Sequence, residues 1–113
     1  MADAYELRIR QGATETVAFT FASLDLTGFS ARMKGKKRHD STTNVFSLTT
    51  GGGGLSLTAG SNSVVTATFA ATTTAAMDAP ATGVWDLECF NTTTGVVHRD
   101  VQGVFLVDRE VTT

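Results

Sequence analysis

The chain has 113 residues, of which 42% are apolar and 18% charged, and its formal net charge is −2. This composition excludes global disorder, the charge gives no support for nucleic-acid binding, and no apolar run is long enough to cross a bilayer. Because Cys89 is the only cysteine, an intrachain disulfide is excluded and a Cys-based zinc site is implausible. We expect one domain over residues 1–113, long enough to bury a core without such links.

The first half of the chain alternates between apolar and polar residues, which is typical of strands with one buried face. Strands are predicted over residues 5–10, 14–21, 29–34, 45–48 and 55–57. The composition of residues 23–28 favours a turn, and Gly35 is predicted to begin a polar, basic loop. The consecutive glycines from Gly51 to Gly54 predict a flexible turn. We expect no phosphate loop there, since the P-loop pattern and a following helix are both missing.

The second half of the chain carries the strongest alternation. Strands are predicted over residues 64–70, 84–90, 96–102 and 104–107. Residues 71–77 are predicted to form one or two helical turns at most, because threonines cap helices better than they extend them. Residues 91–95 predict a hairpin loop, and Gly103 predicts a bulge or bend. Seven to nine short strands with regular turns favour an antiparallel sandwich or barrel, and the near absence of helices excludes a parallel α/β sheet.

The predicted core collects the apolar residues that share the inward face of each strand. It comprises Leu7, Ile9, Val17, Phe19, Phe29, Met33, Phe46, Val65, Phe69, Trp85, Leu87, Val97, Phe105 and Val107. Cys89 alternates with Trp85 and Leu87 and is therefore predicted to be a buried, unreactive thiol. The opposite face, with Asp86, Glu88, His98 and Asp100, is predicted to be a solvated or subunit-facing sheet surface.

The basic segment after Met33 is the main candidate for contact with a partner. It contains Lys34, Lys36, Lys37 and Arg38, and its alternative interpretation is a solvated loop between strands. An acidic protein surface fits this segment better than nucleic acid does, because no aromatic residues lie among the charges to stack on bases.

No group of residues predicts catalysis. The serines lack a nucleophile elbow and a base partner. His98 and Asp100 share a strand face, but no further ligands follow at metal-binding spacing. We expect neither an enzyme nor a cofactor, metal or small-molecule site. A carbohydrate-binding module is an alternative function; it requires exposed aromatic residues, and only Phe90 is predicted to face outward.

Seven short segments, in a fixed order, resemble a family of small tailed-phage virion proteins. They are Tyr5 to Gly12, Leu26 to Met33, Gly54 to Leu57, Thr72 to Met77, Trp85 to Glu88, Gly95 to Arg99, and Glu110 to Thr112. The pattern is similar to the N-terminal module of phage baseplate upper proteins. It departs from that family in Trp85, where Tyr is more usual, and in the basic stretch that follows Met33.

The resemblance implies an immunoglobulin-like β-sandwich acting as a virion structural protein, in a tail, baseplate, neck or fibre-attachment adaptor. Its partners would be other virion proteins and copies of itself, and it would be made in the host cytoplasm and reside in the virion, without binding nucleic acid or membrane. A capsid decoration protein is the alternative within the same class.

Overall fold

The computed structural model describes residues 3–38 and 40–109, so His39 and the predicted closing segment Glu110 to Thr112 lie outside the described residues. Its strands are β1 (Asp3–Arg10), β2 (Glu15–Phe21), β3 (Ser30–Lys36), β4 (Phe46–Thr49), β5 (Leu55–Thr58), β6 (Ser63–Phe69), β7 (Ala81–Phe90) and β8 (Val97–Asp108). One helix, α1 (Ala71–Ala75), lies where the short helical turn is predicted. No helix in the described ranges is long and apolar enough to span a membrane.

The strands form two sheets that pack face to face. The larger sheet has the order β1-β8-β7-β3-β4 and the smaller has the order β2-β6-β5. All pairings between these strands are antiparallel except that of β1, which runs parallel to β8. The predicted all-β sandwich is confirmed, and its strand count falls within the predicted range.

Aromatic rings from both sheets meet at the centre of the sandwich. Phe46 on β4 packs edge-on against Phe69 on β6, with ring centroids 5.0 Å apart, and against Phe105 on β8 at 5.4 Å. Phe19 of the smaller sheet approaches Trp85 of the larger one at 5.5 Å. Such edge and tilted contacts are favourable for aromatic pairs beyond the area that they bury, so these rings join the two layers.

Two strand glycines make room for these rings. Gly35 on β3 lies opposite Phe46, and Gly83 on β7 lies opposite Phe105. A Cβ atom at either position would collide with the ring of the opposing phenylalanine, and at Gly83 also with the carbonyl oxygen of Lys36. Both glycines are therefore needed for close packing rather than for a turn.

Most of the predicted core is buried, but Val97 is not. It is 53% exposed because the register of β7 on β8 shifts between Leu87, opposite Val101, and Cys89, opposite His98. The extra residue in β8 changes which side chains of that strand point inward beyond the shift. Val97 therefore points outward, and the prediction of Val97 in the core is wrong. The irregularity lies there and not at Gly103, where the ladder remains in register.

Two more predicted core residues, Val17 and Phe29, are only partly buried and pack against the edge of the core. Leu26 was not predicted, since it lies in a segment with turn composition, yet it is fully buried. Its backbone N–H donates to the Oγ of buried Ser63 at 2.8 Å. The loop before β3 therefore covers one end of the sandwich, and Ser63 satisfies its backbone.

Candidate functional site: a charged groove on the larger sheet

A groove of about 650 Å³ runs along the outer face of the larger sheet, across β3, β7 and β8. Its lining residues are Arg32, Lys34, Lys36, Val84, Trp85, Asp86, Glu88, Arg99, Gln102, Gly103 and Val104. We refer to this as the outer groove. Because side chains alternate along a strand, the outward residues of three adjacent strands are brought into one surface.

Glu88 lies at one end of the outer groove, between two arginines. The Nε of Arg32 donates to Glu88 Oε1 at 2.7 Å, and the Nε of Arg99 donates to Oε2 at 3.2 Å. The Nη2 of Arg32 also donates to Oε1, and the Nη2 of Arg99 also donates to Oε2. The carboxylate is thus held by two guanidinium forks, and only 7% of the Glu88 side chain is exposed.

Opposing influences act on the pKa of the Glu88 carboxyl. Burial is the largest and favours the neutral form, which raises the pKa, whereas the hydrogen bonds and positive charges of Arg99 and Arg32 lower it. Together the arginines outweigh burial, and the pKa of Glu88 lies below its ordinary value. The pKa of Arg99 is raised by its hydrogen bonds to Glu88 and by the negative charges of Glu88 and of Asp86, which lies 3.5 Å away. Glu88 is therefore not solvated, as one of its two predicted settings required, since it is buried beneath charged partners.

Arg32 also covers the aromatic residue on which a carbohydrate-binding function depends. Its guanidinium carbon lies 4.6 Å from the centroid of the Phe90 ring, a cation–π geometry, and Phe90 is half-buried. One face of the ring is therefore already occupied.

The basic segment does not form a single loop. Strand β3 continues through Lys36, so the predicted loop start at Gly35 is wrong; Gly35 pairs with both Phe46 and Trp85 in the sheet. Lys34 and Lys36 consequently line the outer groove. Lys37 and Arg38 follow the strand and are exposed, and the Nζ of Lys37 lies 3.3 Å from Asp78.

An apolar strip continues the groove towards its other end. Val84 and Val104 lie opposite each other on β7 and β8, and Val104 is 53% exposed. The indole N–H of Trp85 donates to the carbonyl oxygen of Val104 at 3.0 Å, which satisfies the polar atom of a buried tryptophan. The groove therefore places an exposed valine beside charged side chains.

Neither His98 nor Cys89 lines the outer groove. The His98 ring faces Phe29, with centroids 5.6 Å apart, so His98 is not on the outward surface as predicted. Cys89 is buried as predicted, and the side chain of Asp100 lies outside the described part of the structure. Within residues 3–38 and 40–109, no three His, Cys, Asp or Glu residues are grouped closely enough to hold a metal ion.

Lys34 and Lys36 were predicted from the sequence as contact residues, but the Arg32–Glu88–Arg99 cluster was not. Alternation places Arg32 and Glu88 on outward faces, yet it does not reveal that β3 and β7 are neighbours. Their register, which pairs Arg32 directly with Glu88, is a property of the folded sheet. The sequence feature that could have indicated this cluster is the presence of opposite charges at outward positions of separate strands.

No family model and no curated protein sequence matches the chain. Among solved structures with a similar fold is that of the NK cell receptor Nkp44, described as a triggering partner in natural cytotoxicity. It superposes with a TM-score of 0.50 at 14% identity, covering 95% of this chain and 100% of that chain. The chain has an immunoglobulin-like β-sandwich fold. At this level of identity the likeness concerns the fold alone.

Proposed function

We propose that the chain is a structural component of a tailed-phage virion and acts without catalysis, by joining neighbouring subunits. The support is the ordered set of sequence segments that resemble the N-terminal module of phage baseplate upper proteins. An immunoglobulin-like sandwich suits such a role, because a rigid pair of sheets holds its surfaces in fixed relation to one another.

The outer groove is the surface that we assign to subunit contact. Its lining has four basic side chains, from Arg32, Lys34, Lys36 and Arg99, and two acidic ones, from Asp86 and Glu88. This excess of positive charge favours an acidic segment of a neighbouring subunit. The observation that carries the assignment is the position of exposed Val104 beside these charges, since an apolar anchor surrounded by polar groups is typical of an interface.

Lys34 and Lys36 are the groups whose reversal tests this contact. Both lie on the outer face of β3, whereas Lys37 lies beyond the strand beside Asp78. We expect the double substitution Lys34→Glu and Lys36→Glu to reduce incorporation of the chain into particles at least about tenfold. Lys37→Glu is the matched control and is expected to leave incorporation unchanged. Circular dichroism checks that both variants are folded. If both then lose incorporation equally, the outer groove is not the contact surface.

A further inference from the structure

The outer strands of the two sheets protect their edges in different ways. An unpaired edge exposes backbone N–H and C=O groups that can pair with another chain, and proteins blunt such edges with short strands or charges. At the edges of the sheets, β4 and β5 have four residues each, and Thr49 and Gly54 connect them in a bridge. Strand β1 presents the charged residues Glu6, Arg8 and Arg10.

Strand β2 has neither kind of protection over most of its length. It runs for seven residues, Glu15–Phe21, and from Thr16 onward it contains no charged residue, no proline and no glycine. Its threonines, valine and phenylalanines favour strand pairing. Within the described part of the chain, β2 pairs with β6 along one side and with no strand along the other. Glu15, at its start, is held by Arg10.

The outer face beside this edge is also without charge. Its residues are Thr16, Ala18, Thr20, Ser56, Thr58, Val64, Thr66 and Thr68. The charged residues of the outer groove all belong to the opposite face of the sandwich. A second copy brought beside β2 would therefore meet no like charge on this face, and the net charge of −2 adds little repulsion.

We propose that a second copy of the chain docks on this edge, with the two β2 strands antiparallel across a twofold axis. A twofold axis perpendicular to the sheet pairs a strand with its own copy in the antiparallel sense. The two smaller sheets then become one continuous sheet with the order β5-β6-β2-β2-β6-β5. Val17, half-buried at the edge of the core, would be covered by the partner. This dimer depends on the strand edges and not on the virion role.

The test is the association state of the purified chain, measured by sedimentation velocity over a concentration series. Ala18→Lys and Thr20→Lys each place a positive charge on the exposed face of β2, so that the dimer holds two added positive charges along the same paired edge. Ser56→Lys is the matched control, since Ser56 lies in the same row as Ala18 but on β5. That is two strand spacings away, about 10 Å.

We expect a dimer for the unchanged chain and for Ser56→Lys, and an association at least about tenfold weaker for both β2 variants. Hydrogen exchange of the β2 amides should slow with increasing concentration in the unchanged chain. A chain that stays monomeric at about 1 mM would overturn the proposal. So would a dimer that Ser56→Lys disrupts as strongly as Ala18→Lys does, because that result indicates contact through the sheet face.

Discussion

Arg32 on β3 and Glu88 on β7 are directly opposed in the larger sheet, and the Arg32 Nε lies 2.7 Å from Glu88 Oε1. Arg99 approaches the other carboxylate oxygen from β8. One buried carboxylate therefore ties three neighbouring strands together on the face that carries the outer groove. The groove is held in shape by the same ion pairs that give it part of its charge.

Replacing Glu88 with Gln should destabilise the fold by about 1–2 kcal/mol. Glutamine keeps the shape but leaves two guanidinium groups facing each other without the carboxylate. We expect a loss of stability at the lower end of the range for charged hydrogen bonds, because the side chains of Arg32 and Arg99 are 47% and 59% exposed. Urea unfolding at pH 7 measures it. Asp78→Asn, which removes an exposed pair with Lys37, is the control and should change stability by less than about 0.5 kcal/mol.

The stabilisation from Glu88 should depend on pH. Because its pKa is lower in the folded state than in the unfolded chain, its contribution is complete above the unfolded value of about 4.3. It is lost as the pH falls through the folded value. The stability difference between the unchanged chain and Glu88→Gln should therefore shrink below about pH 4.3 in urea titrations. A difference that stays constant down to about pH 3 would contradict the arrangement of these charges.

Alternation along the chain predicted the sandwich and most of the core, because a strand with one buried face leaves a period of two in its sequence. The short helix was predicted instead from the threonines of residues 71–77, which favour the start of a helix. It did not predict the exposure of Val97 or the burial of Leu26. The first depends on an extra residue in β8 that shifts its register on β7, and the second on a loop that packs against Ser63. Both depend on contacts between distant segments, which a local pattern does not contain. The Glu88 cluster was missed for the same reason.

Gly83→Ala should cost about 1–3 kcal/mol of stability. The added methyl group would overlap the Phe105 ring and the carbonyl oxygen of Lys36, and the latter is backbone that cannot turn away. Gly60→Ala provides the matched control, since a Cβ there meets nothing within 4 Å, and its effect should stay within about 0.5 kcal/mol. Thermal unfolding of the two variants gives the comparison. Equal melting temperatures would show that the Phe105 ring does not need the space above Gly83.

The Cys89 thiol should be unreactive in the native protein. It is fully buried between the sheets, and a thiol must be exposed and ionised to react. An aromatic disulfide reagent should label it only as fast as the domain opens, with full labelling in urea. Labelling at the rate of a free thiol under native conditions would mean that β7 is not covered as described.

Mass spectrometry of purified virions tests the proposed structural role most directly. The particles would come from lysates in which the chain is expressed, and would be banded on a density gradient and washed to remove loosely bound protein. We expect the chain to remain with the particles at a constant ratio to the other structural proteins. Its absence from washed particles, while it is present in the same lysate, would contradict the assignment to the virion.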